Sequence, residues 1–222
     1  MGRAHRLGQV ADFVLRMWPP DFEDFGDVWR KLLETVQIAL VGTVFGAAAS
    51  FVLALLAARN ITPRYVALPA RAVLNFLRSI PELIYALIFV SALGLGNLPG
   101  VMALATAAVG TVGKIYADAL ESVRRQPIDA LRAVGAGRAA IVTHGILPQA
   151  LPIMVSYTLL LWDGAVRAAT LLGIVGGGGI GLELNGALRT FRYDRALAIL
   201  LCIMVIVTAI DQLSSWIRRH VQ

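Results

Sequence analysis

Long apolar stretches alternate with short polar ones along this chain, and the alternation predicts a bundle of membrane-spanning helices. Residues 35–58 carry no charged side chain and exceed the roughly 20 residues that a helix needs to cross the hydrocarbon core. Residues 83–113 are also uncharged but too long for one crossing, and the glycine- and proline-containing stretch 94–100 divides them into two helices. The upstream helix of this pair is predicted to begin near Pro69, because residues 83–93 alone are too short.

The second half of the chain repeats the pattern with more interruptions. Residues 139–162 are uncharged but contain two prolines, so the fourth span is expected at about 152–174. The polar stretch 183–195 predicts a helix at the membrane interface, and residues 196–210 with their flanks form the fifth span. The predicted fold is an all-α integral membrane protein with about five transmembrane helices and no soluble domain.

Three regions follow from this organisation. Residues 1–34 have mixed charge and are predicted to lie along the membrane as an amphipathic segment. Residues 35–217 form the transmembrane domain, and residues 218–222 form a basic tail. Because cytoplasmic loops collect Arg and Lys, the polar stretch 114–148 and the C-terminus are expected inside and the uncharged turn 94–100 outside.

Composition agrees with a membrane protein. Hydrophobic residues make up 58% of the chain and charged residues 15%, whereas soluble domains average roughly a quarter charged residues. The net charge of +6 would suggest nucleic acid in a soluble chain, but here it is typical of basic cytoplasmic loops, and no nucleic-acid partner is predicted. With a single cysteine, Cys202, neither an intrachain disulfide nor a cysteine-based metal site is expected, and no metal or cofactor is predicted on this chain.

The charged stretch 114–148 lies between apolar spans, so it must face water. Pro127 suits the first position of a helix and Gly135 suits a helix exit, which predicts a short helix between them. This helix carries an apolar stripe of Ile128, Leu131 and Val134. A short amphipathic helix on the aqueous face of a membrane protein is predicted to dock another protein.

One group of polar residues within the predicted spans has spacings of four, three and four. On a single helix these residues would form one stripe: Arg71, Asn75, Arg78 and Glu82. Ionisable side chains inside a membrane are costly and normally face a bundle interior or a water-filled path, so the stripe is predicted to line a translocation path or a subunit interface. The alternative is that Arg71 and Asn75 only reach the cytoplasmic interface. Arg78 and Glu82 are expected to pair as i,i+4 neighbours, with a kink at Pro81.

The fourth span repeats this pattern with Asp163 and Arg167 four residues apart and Thr170 one turn further on. Two roles are open for this group. The carboxylate and the guanidinium pair structurally, or Arg167 contributes to a route for anions, since its charge persists at any relevant pH.

Residues 176–181 match G-x-G-x-x-G, but a membrane helix rather than a strand precedes them, which excludes a dinucleotide fingerprint. The glycines are predicted to form a tight turn at the outer membrane face that acts as an outer gate, with oxyanion binding as the alternative: Gly176, Gly177, Gly178, Gly179 and Gly181. A P-loop, H-E-x-x-H and G-x-S-x-G are all absent from the sequence, so the chain is predicted not to be an enzyme.

The residues from Asp129 to Pro148 resemble the EAA loop of the membrane subunits of ABC importers. In that loop E-A-A is followed, after three residues, by Gly, and Leu-Pro closes the motif. Here Asp129-Ala130-Leu131 takes the acidic start, Gly135 the glycine and Leu147-Pro148 the end. Asp replaces Glu, Leu131 replaces Ala, and Gly145 stands where Ile is usual.

The resemblance to one branch, the phosphonate-type permeases, covers nearly the whole chain. It rests on several motifs in order, which are Leu77-Arg78-Ser79-Ile80-Pro81-Glu82-Leu83, residues 86–90, 129–133, 146–149, 156–159, 166–168 and 172–176. Asp163-Gly164 departs from this branch, where a Glu and a bulkier residue are more usual.

The resemblance implies a type I ABC importer permease of MetI-like arrangement, with a cytoplasmic coupling helix, in the bacterial inner membrane. It implies a second permease copy or a paralogue, an extracytoplasmic binding protein that delivers phosphonate, phosphite or phosphate, and two cytoplasmic ATPase subunits that hold ATP-Mg. The residues implied to contact the ATPase are Pro127, Asp129, Ala130, Leu131, Arg132, Gly135 and Pro148. Three alternatives remain open, namely a permease for another small solute such as an amino acid, an ion-driven secondary carrier, and an intramembrane enzyme acting on phospholipid head groups.

Overall fold

The computed structural model describes residues 17–23 and 25–221 and, within them, the side chains up to residue 219. This part of the chain contains no β-strand. Its main helices are α1 (Phe25–Ala57), α2 (Arg64–Ser79), α3 (Glu82–Leu93), α4 (Asn97–Glu121), α5 (Arg125–Ala133), α6 (Leu147–Ile174), α7 (Ile180–Arg189) and α8 (Tyr193–Val221). A helical turn at Arg138–Ala140 and a π-helix at Ile141–Ile146 lead directly into α6.

The described part of the chain has four candidate crossings, or five if one bent pair of helices counts as a span, which agrees with the predicted number of about five. Four helical segments are long and apolar enough to cross a membrane, and they are Phe25–Ala57, Asn97–Glu121, Arg138–Ile174 and Tyr193–Arg219. Helices α2 and α3 pass the same test only as a pair, and the chain bends by 85° between them.

Several predicted boundaries are wrong, because packing extends the helices beyond their uncharged stretches. Helix α1 begins at Phe25 rather than at residue 35, since Val28 and Leu32 pack against α7 and α8. Residues 25–34 of the expected surface segment therefore belong to the first spanning helix, and residues 1–16 and 24 lie outside the described part. Helix α8 likewise continues through the expected basic tail as far as Val221.

The interior boundaries also move. The helix expected from Pro69 to residue 93 begins at Arg64 and is two helices, α2 and α3. Helix α4 starts at Asn97, within the predicted turn. Helix α6 starts at Leu147 with a proline in its first turn, a position where the missing N–H is not needed. The predicted interfacial helix is α7, which begins at Ile180 and ends at Arg189.

Helices α1 and α4 pack closely side by side. A Cβ atom on Gly46 of α1 would lie 2.4 Å from Cβ of Ala108 on α4, and one on Gly42 would lie 2.8 Å from Cβ of Leu104. Small residues of this kind let two helix backbones approach inside a membrane, where packing rather than burial from water drives association.

The helix ends gather into two layers. In the outer layer, as the predicted orientation defines it, the turn before α4 meets the loop before α7, and Gly96 N–H donates to the Gly176 carbonyl at 3.0 Å. In the inner layer, the Arg59 N–H donates to Glu121 at 2.6 Å, and the Arg124 N–H donates to the Gln149 side chain at 3.1 Å. The candidate functional residues lie in these two layers, at the bend between α2 and α3, and within α6.

Candidate translocation and coupling sites

The bend between α2 and α3 is built from local chemistry. Pro81 precedes α3 and has no N–H to continue α2, so the helix ends at Ser79. The end of α2 leaves carbonyls without helical partners. The Tyr85 hydroxyl, on the first turn of α3, donates to the Leu77 carbonyl at 2.9 Å and satisfies one of them. Tyr85 thus fixes the angle at which α3 leaves α2.

A close contact with α4 fixes the depth of this bend. A Cβ atom on Gly110 would lie 2.5 Å from the backbone nitrogen of Arg78, so the two backbones touch. Gly110 is the fourteenth of the 25 residues of α4, which spans the membrane. The Arg78 backbone therefore lies near the middle of the bilayer.

The predicted pairing of Arg78 with Glu82 is wrong. The two residues belong to different helices, and the 85° bend removes the i,i+4 relation on which the pair depended. Neither side chain forms a hydrogen bond or an ion pair within the described part of the chain. The Arg78 and Glu82 side chains therefore remain available to interact with groups other than each other.

Arg71 lies at the inner end, and the four-residue stripe is not continuous. The Arg71 guanidinium forms an ion pair with Glu121 at 2.7 Å, and its Nε donates a hydrogen bond to the Ala57 carbonyl at 2.9 Å. Asp118 is a more distant neighbour, at 3.7 Å. Together with Asn75, Arg71 lines a cavity of about 250 Å³ at this end. These contacts favour the interfacial alternative for Arg71 and Asn75, and they separate this pair from Arg78 and Glu82.

Glu82 lines a cavity of about 370 Å³ between α1, α3, α4 and α6. Most of the walls are apolar, and the polar lining consists of Thr43, Thr111, Tyr157 and Glu82. Thr43 is only 3% exposed, and its hydroxyl has no hydrogen-bond partner in the described part of the chain. Buried hydroxyls are normally bonded, so this oxygen is available to water or to a solute.

The expected contact between Asp163 and Arg167 is present. The Arg167 guanidinium donates two hydrogen bonds to the Asp163 carboxylate, at 2.7 and 3.2 Å. The Asp163 side chain is 5% exposed, whereas that of Arg167 is 54% exposed on the single chain. Asp163 therefore orients a guanidinium whose outer face remains open. Thr170 is buried and donates to the Val166 carbonyl at 3.2 Å, so its hydroxyl is engaged within α6.

The predicted coupling helix is α5, and its start differs from the expectation. It begins at Arg125, which places Pro127 third rather than first, still within the turn whose N–H groups lack helical partners. Its end is as predicted. Gly135 has φ +77, its N–H donates to the Arg132 carbonyl, and the Ala136 N–H donates to the Leu131 carbonyl, both at 3.0 Å. This is a Schellman motif, which a glycine in the left-handed region permits.

Helix α5 has one anchored face and one free face. Ile128 is 8% exposed and packs into the inner hydrophobic core, and a Cβ on Gly145 would lie 3.1 Å from Leu131. Val134, the third residue of the predicted stripe, is 80% exposed and contributes nothing to this anchoring. The other predicted coupling residues with exposed side chains are Pro127, Asp129, Ala130, Arg132 and Pro148.

A residue that the sequence reasoning did not single out ties α5 to α6. The Gln149 side chain accepts a hydrogen bond from the Arg124 N–H at 3.1 Å and donates to the Gly145 carbonyl at 2.6 Å. It lies in the motif 146–149, which offered the signal. The roles of Tyr85 and Gly110 cannot be predicted from the sequence either, because they depend on contacts between helices.

The glycine-rich stretch 176–181 forms the bend between α6 and α7 at the outer end. Several of its N–H groups are already used, since Gly176 donates to the Gly173 carbonyl at 3.0 Å, Gly177 donates to the Leu172 carbonyl at 2.8 Å and Ile180 donates to the Thr35 hydroxyl at 2.8 Å. At Gly179, φ is +73 and a Cβ would lie 2.4 Å from the Thr35 hydroxyl oxygen, so a larger residue does not fit. The occupied donors favour a packed turn over an oxyanion site.

Known proteins resemble this chain along most of its length. Residues 50–222 match the family described as "Binding-protein-dependent transport system inner membrane component". The chain is 42% identical over 215 residues to the phosphite transport system permease protein PtxC of Stutzerimonas stutzeri, covering 96% of this chain and 78% of that protein. It is 44% identical over 205 residues to the phosphate-import permease protein PhnE of Mycolicibacterium smegmatis, covering 91% of this chain and 38% of that protein.

Among solved structures, a chain of the MetNI methionine ABC transporter in inward-facing conformations superimposes with a TM-score of 0.73 at 24% identity. The match covers 88% of this chain and 96% of that chain. This likeness shows the fold alone, and it confirms the predicted MetI-like arrangement. The all-helical fold and the family match together confirm the resemblance drawn from the sequence. The chain belongs to the binding-protein-dependent transport system inner membrane components, a family of multi-pass proteins of the inner membrane.

Proposed function

We propose that this chain is the permease subunit of an ATP-driven importer that carries phosphite, phosphonate or phosphate into the cell. The main observation behind this proposal is that Arg78, a cation near the middle of the membrane, has no partner in the described part of the chain. The relatives of this protein are named for oxyanion transport. An oxyanion is costly to transfer into a medium of low dielectric constant, and a fixed cation offsets that cost.

Two arginines serve different steps in this proposal. Arg167 is already paired with Asp163, so it attracts an anion weakly and releases it readily. Arg78 has no such partner and attracts an anion more strongly, while Glu82 in the neighbouring cavity limits the affinity. Conduction requires binding that is strong enough for entry and weak enough for release.

A second permease copy, or a paralogue, completes the path. The side chains on most of α3 are exposed on the single chain, including Leu83, Ile84, Leu87 and Ile88, and they adjoin Arg78 and Glu82. A symmetric partner that covers this face would bring two copies of each charge around one axis. In this arrangement the glycine turn at 176–181 acts as the outer gate, and an extracytoplasmic binding protein delivers the solute there.

The free face of α5 is the proposed contact with the ATPase subunits. Movement of α5 would pass to α6 by two routes, the packing of Ile128 and Leu131 and the Gln149 hydrogen bond to Arg124. Such packed contacts transmit a discrete rearrangement, because packed interfaces switch rather than deform. This supports ATP-driven switching between inward- and outward-open states.

The test is uptake by the assembled transporter in a bacterial host that lacks its own phosphite, phosphonate and phosphate uptake. The chain is co-expressed with the ATPase and the binding protein that co-purify with it. We expect accumulation of at least one of the three oxyanions, and none with an ATPase that cannot hydrolyse ATP. Uptake of an amino acid but no oxyanion would contradict the cargo, and uptake that persists without hydrolysis would contradict the ATP-driven mechanism.

A further inference from the structure

A groove at the inner end of the bundle is not used by the proposed transport path. Its volume is about 690 Å³, and it lies between the loop that follows α1 and the segment that joins α5 to α6. The side of α1 contributes Leu55, Leu56 and Arg59, and the joining segment contributes Arg138, Val142 and Ile146. Part of that segment is the π-helix at Ile141–Ile146, and π-helical turns are frequent at functional sites.

The groove combines apolar walls with a basic rim. Three arginines line it, Arg59, Arg132 and Arg138, and no carboxylate is among its lining residues. Arg132 lies 3.4 Å from Asp129, and both side chains are well exposed, so this pair is weak. The side chains of Arg59 and Arg138 have no hydrogen bond or ion pair within residues 17–23 and 25–219. The nearby carboxylate of Glu121 is already bound to Arg71 and to the Arg59 N–H.

The position of the groove matches the boundary between hydrocarbon and head groups. Helix α1 spans the membrane and ends at Ala57, so Leu55 and Leu56 lie at the inner limit of the hydrocarbon and Arg59 lies just beyond it. A ligand that fits must therefore have an apolar tail beside a negatively charged head. A soluble oxyanion has no tail for the apolar walls.

We propose that this groove binds an anionic phospholipid of the cytoplasmic leaflet. Its phosphate lies between Arg59 and Arg138, and an acyl chain lies along Leu55, Leu56 and Val142. The two walls belong to separate segments, one continuous with α1 and the other leading from α5 into α6. The bound lipid therefore holds the coupling segment against the transmembrane bundle. This proposal is independent of which solute the transporter carries.

The experiment uses the whole purified complex, with its ATPase subunits, in nanodiscs of phosphatidylcholine titrated with phosphatidylglycerol. The variant combines Arg59→Gln and Arg138→Gln, which leaves Arg132 of the coupling helix unchanged. A basic side chain that contacts an anionic head group contributes about fivefold to lipid affinity, so we expect the loss of both contacts in the groove to lower the affinity roughly 25-fold, measured by native mass spectrometry of bound lipid. Both arginines are exposed and unpaired, so the protein is expected to fold normally.

The matched control is Arg64→Gln, which removes the same charge from an exposed position at the same membrane end outside the groove. We expect this control to keep wild-type affinity for phosphatidylglycerol. Equal affinity in the wild type and the double variant would overturn the proposal, as would an equal loss in the control. Lipid binding that appears only after the ATPase subunits are removed would show that the ATPase occupies the groove, and it would also overturn the proposal.

Discussion

Two pairs of opposite charges have the same spacing in this chain and opposite outcomes in its structure. Asp163 and Arg167 are four residues apart on one continuous helix, and they form a bidentate ion pair. Arg78 and Glu82 are also four residues apart, but Pro81 lies between them and α2 ends before it. Spacing predicts a contact only where the helix is continuous, so one break converts a self-neutralising pair into two separate charges.

The difference also separates a paired cation from an unpaired one. The pair on α6 largely neutralises itself, so in the proposed path Arg167 attracts an anion only weakly. The charges at the bend have no such pairing within the described chain, so they remain available to a partner subunit or a solute. Variants of each group should therefore change different measurements most, with the larger effect on stability at α6 and the larger effect on uptake at the bend.

The largest effect is expected for Asp163→Ala, which leaves Arg167 unpaired within the membrane. Removing one member of a buried pair costs about 3 kcal/mol, at the lower end of its range here because Arg167 is half exposed. The measurement is the thermal unfolding of the purified complex. The double variant Asp163→Ala with Arg167→Met should recover most of the lost stability, because both charges are gone. Equal unfolding of the single variant and the wild type would show that the pair is dispensable.

The next largest effect is expected for Gly110→Ala, because the new methyl group would meet the backbone of Arg78 at 2.5 Å. Overpacking of this kind costs about 2 kcal/mol. Gly113→Ala is the matched control on the same helix, since its methyl group would meet only the flexible end of Leu74 at 2.6 Å. We expect thermal unfolding to fall clearly in the first variant and little in the second. An equal fall in both would contradict a rigid contact at the bend.

Arg78→Gln should reduce oxyanion uptake about tenfold, equivalent to about 1.4 kcal/mol, and should leave thermal unfolding unchanged. The side chain has no partner within the described residues to lose, so the loss falls on transport alone. Initial uptake rates at subsaturating solute measure the effect, and Arg78→Lys should retain part of the rate because it keeps the charge. Unchanged uptake in Arg78→Gln would remove the fixed-cation mechanism.

The smallest effect is expected for Tyr85→Phe, which removes only the hydrogen bond to the Leu77 carbonyl. The loss of one such bond costs about 1 kcal/mol of stability. Because this bond sets the angle between α2 and α3, the uptake rate should fall together with the stability. Thermal unfolding and uptake are measured on the same preparation. A variant with normal values of both would show that Pro81 and Gly110 suffice to fix the bend.

The sequence was most informative where chemistry is local. Charge-free stretches predicted the candidate crossings, and Gly135 predicted the end of α5 because the Schellman motif needs only neighbouring residues. The bend between α2 and α3 was underestimated, since a proline predicts an interruption while the angle depends on Tyr85 and on α4. The early start of α1 was missed for a similar reason, because α7 and α8 provide the surface on which its first turns pack.

The bond between Thr35 and the glycine turn constrains the order of assembly during synthesis. Its two partners, the Thr35 hydroxyl and the Ile180 N–H, are separated by 145 positions, so this contact of the outer layer forms only after the chain has been synthesised as far as α7. Before that contact forms, the Thr35 hydroxyl already has a hydrogen-bond partner, because it donates to the Lys31 carbonyl at 2.9 Å within its own helix. Helix α1 can therefore insert into the bilayer early and accept the hydrogen bond from the Ile180 N–H later, without refolding between the two steps.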